Sequence, residues 1–332
     1  MTRHRLSQGP RRSKGFSLIE LLISMTIGLV IVGAALSAYL GASGAGRVAE
    51  AQSRMNEDGQ AALNILTQQL RMAGNNPNQA DRVGLSRQNP VYGTTTFTTS
   101  PGTFTTSFFS IRGCDDRFSN ITATTATNLD ALTCAAGTST LPDSIAVNYE
   151  ADRYNTIPTA AGLPTDCLGN AISIVTATFP ATTPTSATSG TYTVADNRFF
   201  VGTSTAIVSP TLYCKGNGGA TGAQPLVENI EDMQFTYGTV STATTSTTAT
   251  VAGYLRAAEV ASLATTPADD TTRWGKVLSV RICILVRSET FSAPDAASAK
   301  YDDCQGNRNV TAPDLRLRRA YSTTVVLRNR RF

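Results

Sequence analysis

Lys14-Gly15-Phe16-Ser17-Leu18-Ile19-Glu20-Leu21-Leu22 opens an apolar run that continues to Leu40 and sets one carboxylate inside a stretch otherwise suited to a membrane. At about 1.5 Å per residue, a helix from Phe16 to Leu40 is long enough to cross a hydrocarbon core of roughly 30 Å. Glu20 is the only charged residue in that run. A carboxylate costs on the order of 2–3 kcal/mol at mid-bilayer and less near an interface, so its presence marks a functional contact. Upstream, Arg3, Arg5, Arg11, Arg12 and Lys14 form a basic leader with no acidic residue. By the positive-inside rule this leader holds the N-terminus in the cytoplasm and sends the remainder outward. A cleavable secretory signal fits poorly, because the run is too long and no small-x-small site follows it before the polar region. An ordinary signal anchor explains the run but leaves Glu20 without a reason.

Gly15-Phe16-Ser17-Leu18-Ile19-Glu20-Leu21-Leu22 resembles the class III leader of type IV pilins and pseudopilins. The resemblance implies that a prepilin peptidase cuts between Gly15 and Phe16 on the cytoplasmic side. It also implies that Phe16 becomes an N-methylated terminus, and that the apolar helix is retained.

Composition narrows the chemistry. The formal net charge is +4, but the leader holds five of the 28 basic residues and none of the 24 acidic ones, leaving 23 against 24 after cleavage. No basic cluster interleaved with aromatics survives that cut, so no nucleic-acid surface is expected. The one histidine, His4, lies in the leader. A processed chain therefore has no Ser-His-Asp or Cys-His machinery and no usual histidine-containing zinc site. The six cysteines, Cys114, Cys134, Cys167, Cys214, Cys283 and Cys304, all fall in the part expected outside the cytoplasm, with no C-x-x-C pair. An even, widely spaced set in an oxidising compartment reads as structural disulfides. Six cysteines allow about fifteen pairings, and short loops close most easily, which favours Cys114 with Cys134, Cys167 with Cys214 and Cys283 with Cys304.

After the Gly/Ala/Ser stretch 41–46, Leu63, Leu66, Leu70 and Ala73 recur at helical steps, with Ala62 and Ile65 beside them. This apolar stripe is expected to face a sheet. Gly74-Asn75-Asn76-Pro77-Asn78 supplies a left-handed cap and a turn. Short β-type runs follow: 144–149, 172–179, 198–202, 206–214, 233–240, 277–287 and 319–327. In the clearest, Leu278, Val280, Ile282, Ile284 and Val286 alternate with Ser279, Arg281, Cys283 and Arg287, as expected with one face covered. The threonine-rich stretches 94–106, 181–193 and 239–250 have little to build a core from and read as long surface loops or disordered insertions. Threonine's preference for strands offers edge hairpins as the alternative.

The adjacent pairs Asp115-Asp116, Asp269-Asp270 and Asp302-Asp303 lack D-x-[DN]-x-[DN]-G spacing and read as solvated loop residues. Asn120-Ile121-Thr122 and Asn309-Val310-Thr311 fit the glycosylation acceptor pattern, which carries little weight beside a pilin leader. Trp274 reads as a packing residue.

The segment Pro225-Leu226-Val227-Glu228-Asn229-Ile230-Glu231-Asp232-Met233-Gln234-Phe235-Thr236-Tyr237-Gly238 resembles the approach to a central strand in PilW-type minor pilins and J-type pseudopilins. Trp274, the strand at 280–288, the tail Tyr321–Asn329, Arg54-Met55-Asn56-Glu57 and Leu70-Arg71-Met72-Ala73-Gly74 also match the PilW pattern. The resemblance implies an α+β, type IV pilin-like fold. Its parts would be a leader at 1–15, an assembly helix at 16–40, an amphipathic continuation at 41–74 and a β-rich head at 75–332. It further implies a non-enzymatic minor pilin with no cofactor or metal, whose Glu20 pairs with a neighbour's terminal amine. The chain would move from the inner membrane, head in the periplasm, to the pilus tip, supporting adhesion and twitching motility. Expected partners are other minor pilins, the major pilin, a PilY-type tip adhesin, the prepilin peptidase and the inner-membrane assembly platform. A J-type pseudopilin of type II secretion is the alternative within the class. A membrane-anchored periplasmic binding protein or enzyme is the alternative outside it.

Overall fold

No proline interrupts residues 16–76, and in the computed structural model helix α1 runs unbroken from Leu18 to Met72. The structure describes residues 15–77, 93–99, 102–108, 110–121, 132–135, 141–179, 188–219, 222–240, 250–266 and 268–329. The chain forms two compact units, Met1–Glu50 and Ala51–Phe332. In the first, the large apolar side chains from Phe16 to Leu40 are exposed, and the helix is long and apolar enough to cross a membrane.

Within the second unit, α1 buries Ala51, Met55, Gly59, Ala62, Leu66 and Leu70, a stripe stepping by three and four residues. The stripe lies slightly to one side of the one expected: Leu63 and Ile65 are only partly buried at its margins. Small residues at its N-terminal end let the backbone come close to the head. A Cβ on Gly59 would lie 2.9 Å from the Tyr321 ring, whose hydroxyl donates to Asn56 Oδ1 at 2.6 Å. Farther along, Leu66 and Leu70 are fully buried and stabilise the docked helix by about 1.5–3 kcal/mol each. The helix ends at Gly74, in the left-handed region at φ 71°, with its N–H donating to the Asn148 carbonyl at 2.8 Å.

Three antiparallel sheets follow among the described residues. Strands β1 (Gly93–Thr99), β2 (Gly102–Phe108), β5 (Val175–Phe179) and β6 (Thr188–Tyr192) form one, in the order β2-β1-β5-β6. The second runs β3-β4-β7-β8-β9, from β3 (Ile111–Cys114), β4 (Ser144–Glu150), β7 (Val194–Gly202), β8 (Thr211–Lys215) and β9 (Gln224–Glu228). In the third, β10 (Ile230–Thr239), β11 (Gly253–Leu255), β12 (Val277–Phe291) and β13 (Arg316–Val326) are ordered β11-β10-β12-β13. Among the described residues the short helices α2 (Ala257–Ala261) and α3 (Asp270–Gly275) precede β12. Val280, Ile282, Ile284 and Val286 of β12 are all buried and belong to one core with Leu66, Leu70, Phe235 and Phe199.

Where the first two threonine-rich stretches are described, the first sheet replaces the loop reading with the strand alternative. Residues 94–99 and 102–106 lie in the antiparallel pair β1–β2, with Phe97 opposite Phe104, and residues 188–192 pair with β5. Threonine's β-branch suits a pleated surface, and cross-strand pairing supplies what core volume does not. Residues 100–101 of the first stretch, 181–187 of the second and 241–249 of the third lie outside the described residues.

Charge is also held inside the head. Arg318 Nε and Nη2 donate to the two oxygens of Glu231 at 2.5 and 3.0 Å, and Nη1 donates to Asp314 at 2.7 Å. A forked guanidinium satisfied on both edges is what makes a buried cation tolerable. Asp143 is buried, and its two oxygens accept from the backbone N–H groups of Asp116 (3.2 Å) and Phe235 (2.8 Å), tying the loop before β4 to β10. Burial pushes its pKa up to about 8. The folded state therefore holds a proton that the unfolded chain releases near 3.8, and stability falls as pH rises from there to about 8. Melting should occur about 8–16 °C lower at pH 8.5 than at pH 5, the scale of a loss of roughly 4 kcal/mol from about three pH units of linkage. Asp143→Asn should flatten that slope, and an identical slope in both proteins would contradict the assignment.

Candidate assembly site

Ser17 and Glu20 close the start of α1 on each other. Ser17 Oγ accepts from the Ile19 N–H at 3.4 Å, and Glu20 Oε2 accepts from the Ser17 N–H at 3.0 Å. This reciprocal pattern is close to a capping box, with the Ser17 hydroxyl on the second helical N–H instead of the third, and it satisfies two of the backbone donors at the helix start. It also places the carboxylate at the positive end of the helix dipole. Glu20 Oε1 has no partner among the described residues. Phe16, just ahead of the cap, is exposed, as are Leu18, Ile19, Leu21 and Leu22 around Glu20. Gly15 has nothing near its Cα on which an added side chain would clash. The junction 15–16 and the carboxylate thus share one exposed helix start. Sequence reading fixed on Glu20 and passed over Ser17, although S-x-x-E ahead of an apolar run is the pattern of such a cap.

The six cysteines are joined in the structure as Cys114–Cys134, Cys167–Cys214 and Cys283–Cys304, with Cα separations of 5.4, 6.6 and 5.6 Å. The first ties the end of β3 to the segment at 132–135, the second ties the 151–174 connection to β8, and the third ties β12 to the β12–β13 connection. Each secures a segment with little regular structure of its own.

The aspartate pairs have structural work. Asp115 accepts from the N–H groups of Ala257 and Ala258 at the start of α2 (2.9 and 3.1 Å). Asp269 caps α3 through the Thr272 N–H (2.7 Å). Asp270 pairs with Arg112 and Arg273, while Asp302 and Asp303 hold the turn at 302–309. Asn120 accepts from the Thr133 N–H at 2.9 Å, and Trp274 is buried edge-to-face on Tyr237 at 5.0 Å. No group of three or more His, Cys, Asp or Glu side chains arranged to hold a metal occurs among the described residues.

Residues 198–329 match the family described as Type IV Pilus-assembly protein W. Residues 10–36 match the Prokaryotic N-terminal methylation motif, which spans the Gly15–Phe16 junction, Ser17 and Glu20. No curated protein and no solved structure matches the chain. The first match runs from β7 through β13, the strands that make up most of the core under α1.

Proposed function

We propose that this chain, which joins a methylation leader to a segment matching the PilW family, is a PilW-type minor pilin of the type IV pilus that acts by helix-driven assembly of the priming complex at the fibre tip. The observation that carries this reading is the exposed, self-capped start of α1, with Glu20 in its first turn and apolar side chains on all sides. The leader and the apolar helix mark the chain as membrane-anchored. In this reading the prepilin peptidase cuts after Gly15, Phe16 is N-methylated, and the head lies in the periplasm.

This cap keeps the lone carboxylate tolerable while the subunit waits in the bilayer, because Oε2 already accepts a backbone hydrogen bond. Oε1 is left to meet the positively charged amine of a neighbouring subunit. Each charge is costly in a low-dielectric helix bundle and the two offset one another only when brought together, so the pair favours assembly over loose aggregation. Other minor pilins, the major pilin, a PilY-type tip adhesin and the inner-membrane platform are the partners this assembly requires, and adhesion and twitching motility are its outputs.

Processing is the first step to test. Intact-mass analysis of full-length protein co-produced with a prepilin peptidase and extracted from membranes should give a chain beginning at Phe16 and heavier by one methyl group. A mass that retains residues 1–15 would overturn the reading.

A further inference from the structure

Between α1 and the connection from β4 to β5 lies a groove of about 470 Å³, within the range of small-ligand sites. Its outer wall is a loop with a fixed shape. Asp152 Oδ1 accepts from the N–H groups of Tyr154 and Asn155, both at 2.7 Å. Thr165 Oγ1 donates to the Ile157 carbonyl at 2.6 Å, and Asn155 Nδ2 to the Glu150 carbonyl at 2.8 Å. The disulfide Cys167–Cys214 fastens its far end. On this framework Tyr154 is 79% exposed and Ile157 86% exposed. A preformed loop that holds large side chains out in water presents a recognition surface.

The lining chemistry specifies the ligand. Among the described residues that line the groove Asp166 is the only charged one, and its carboxylate is already engaged, Oδ1 by the N–H groups of Leu168 and Asn170 and Oδ2 by that of Gly218. Inside the groove an ion would find no free counter-charge, the Arg153 guanidinium at its rim being stacked on Tyr154. Neutral hydrogen-bonding groups are present instead: the exposed amide of Gln68 and the hydroxyl of Tyr149. Tyr149 is 2% exposed, and Asn197 Nδ2 donates to its oxygen at 3.2 Å. Burial pushes its pKa up to about 12, against the hydrogen bond from Asn197 that pulls it down. The hydroxyl therefore keeps its proton and can donate as well as accept. Tyr154 adds an aromatic face. The Arg153 guanidinium stacks over its ring, 4.7 Å from the centroid, which fixes the ring beside the groove.

A site that offers an uncharged donor, an amide and a tyrosine ring flanked by Ile65 and Ile157 fits a ligand with hydroxyl oxygens on one edge and C–H groups on its face. We infer that this groove binds a neutral sugar unit, stacked on Tyr154 and hydrogen-bonded by Tyr149 and Gln68. The inference does not rest on the assembly role of α1.

The test uses the full chain in a zwitterionic detergent without a sugar headgroup, probed with maltotriose and with N,N′,N″-triacetylchitotriose by saturation-transfer NMR and titration. Saturation transfer to at least one trisaccharide is expected, with binding weakened about tenfold or more by Tyr154→Ala and several-fold by Gln68→Ala. Both side chains are exposed, so melting should stay unchanged. Absence of transfer to both sugars would overturn the proposal, as would wild-type binding by both variants. Capture of a protein by a photo-crosslinker at position 157, with no sugar bound, would assign the face to a protein partner and overturn it as well.

Discussion

Glu20→Ala should leave membrane fractionation unchanged while co-purification with partner pilins falls by at least tenfold. Insertion depends on the apolar run and the basic leader, and removal of a carboxylate makes partitioning more favourable. Assembly responds differently. With the acid gone, the neighbour's amine enters the helix bundle unpaired, and breaking a buried ion pair in this way costs about 3–5 kcal/mol. The same substitution removes the side chain that accepts from the Ser17 N–H, a smaller loss of roughly 0.5–2 kcal/mol confined to the helix start. Ser17→Ala separates the two contributions. It removes the other half of the cap but leaves the carboxylate, so it should weaken assembly far less than Glu20→Ala. Equal recovery of wild type and Glu20→Ala in both assays would make Glu20 a tolerated interfacial residue.

The second large effect is expected from the disulfides. Thiol counting on denatured, unreduced protein should find no free thiol. Replacing Cys167 and Cys214 together by serine should lower the melting temperature more than replacing either other pair. That bridge closes a separation of 47 residues, against 20 and 21 for the others. By loop-closure entropy this corresponds to roughly 4 kcal/mol against about 3, or a fall in Tm of about 10 °C. The bridge also fastens the loop that carries Tyr154 and Ile157, so the groove should lose its shape before the core does. Two or more free thiols in native protein, or equal melting for all three double variants, would count against this account.

Sequence pattern exposed the parts of the fold that obey a simple period. Leu278 to Val286 alternate as a half-covered strand must, Leu66 and Leu70 recur at helical steps, and Gly74 stands where a left-handed cap is needed. What remained hidden depended on contacts far apart in the chain. The helix stripe continues back through Gly59 and Met55 because Tyr321 packs there, and nothing near Gly59 in the sequence announces Tyr321. Strand β3, only Ile111–Cys114, is too short to show alternation. The threonine-rich hairpins gave a mixed signal, since low apolar content points to loops while the β-branch points to strands. At the candidate site, the leader made Gly15, Phe16 and Glu20 legible, but the capping role of Ser17 needed attention to the S-x-x-E spacing. Tyr149 and Asp143 are ordinary residues in sequence, and only their burial gives them shifted protonation.

Mass spectrometry of pili sheared from the cells that make this protein tests the central claim most directly. An assembled minor pilin should yield, from the fibre fraction, an N-terminal peptide that starts at N-methylated Phe16 and contains Glu20. Wild-type cells should give that peptide, and cells carrying Glu20→Ala should lose it from the fibre while keeping the processed chain in the membrane. Recovery of the wild-type protein from membranes alone, or of the Glu20→Ala chain in fibres at wild-type yield, would contradict the account.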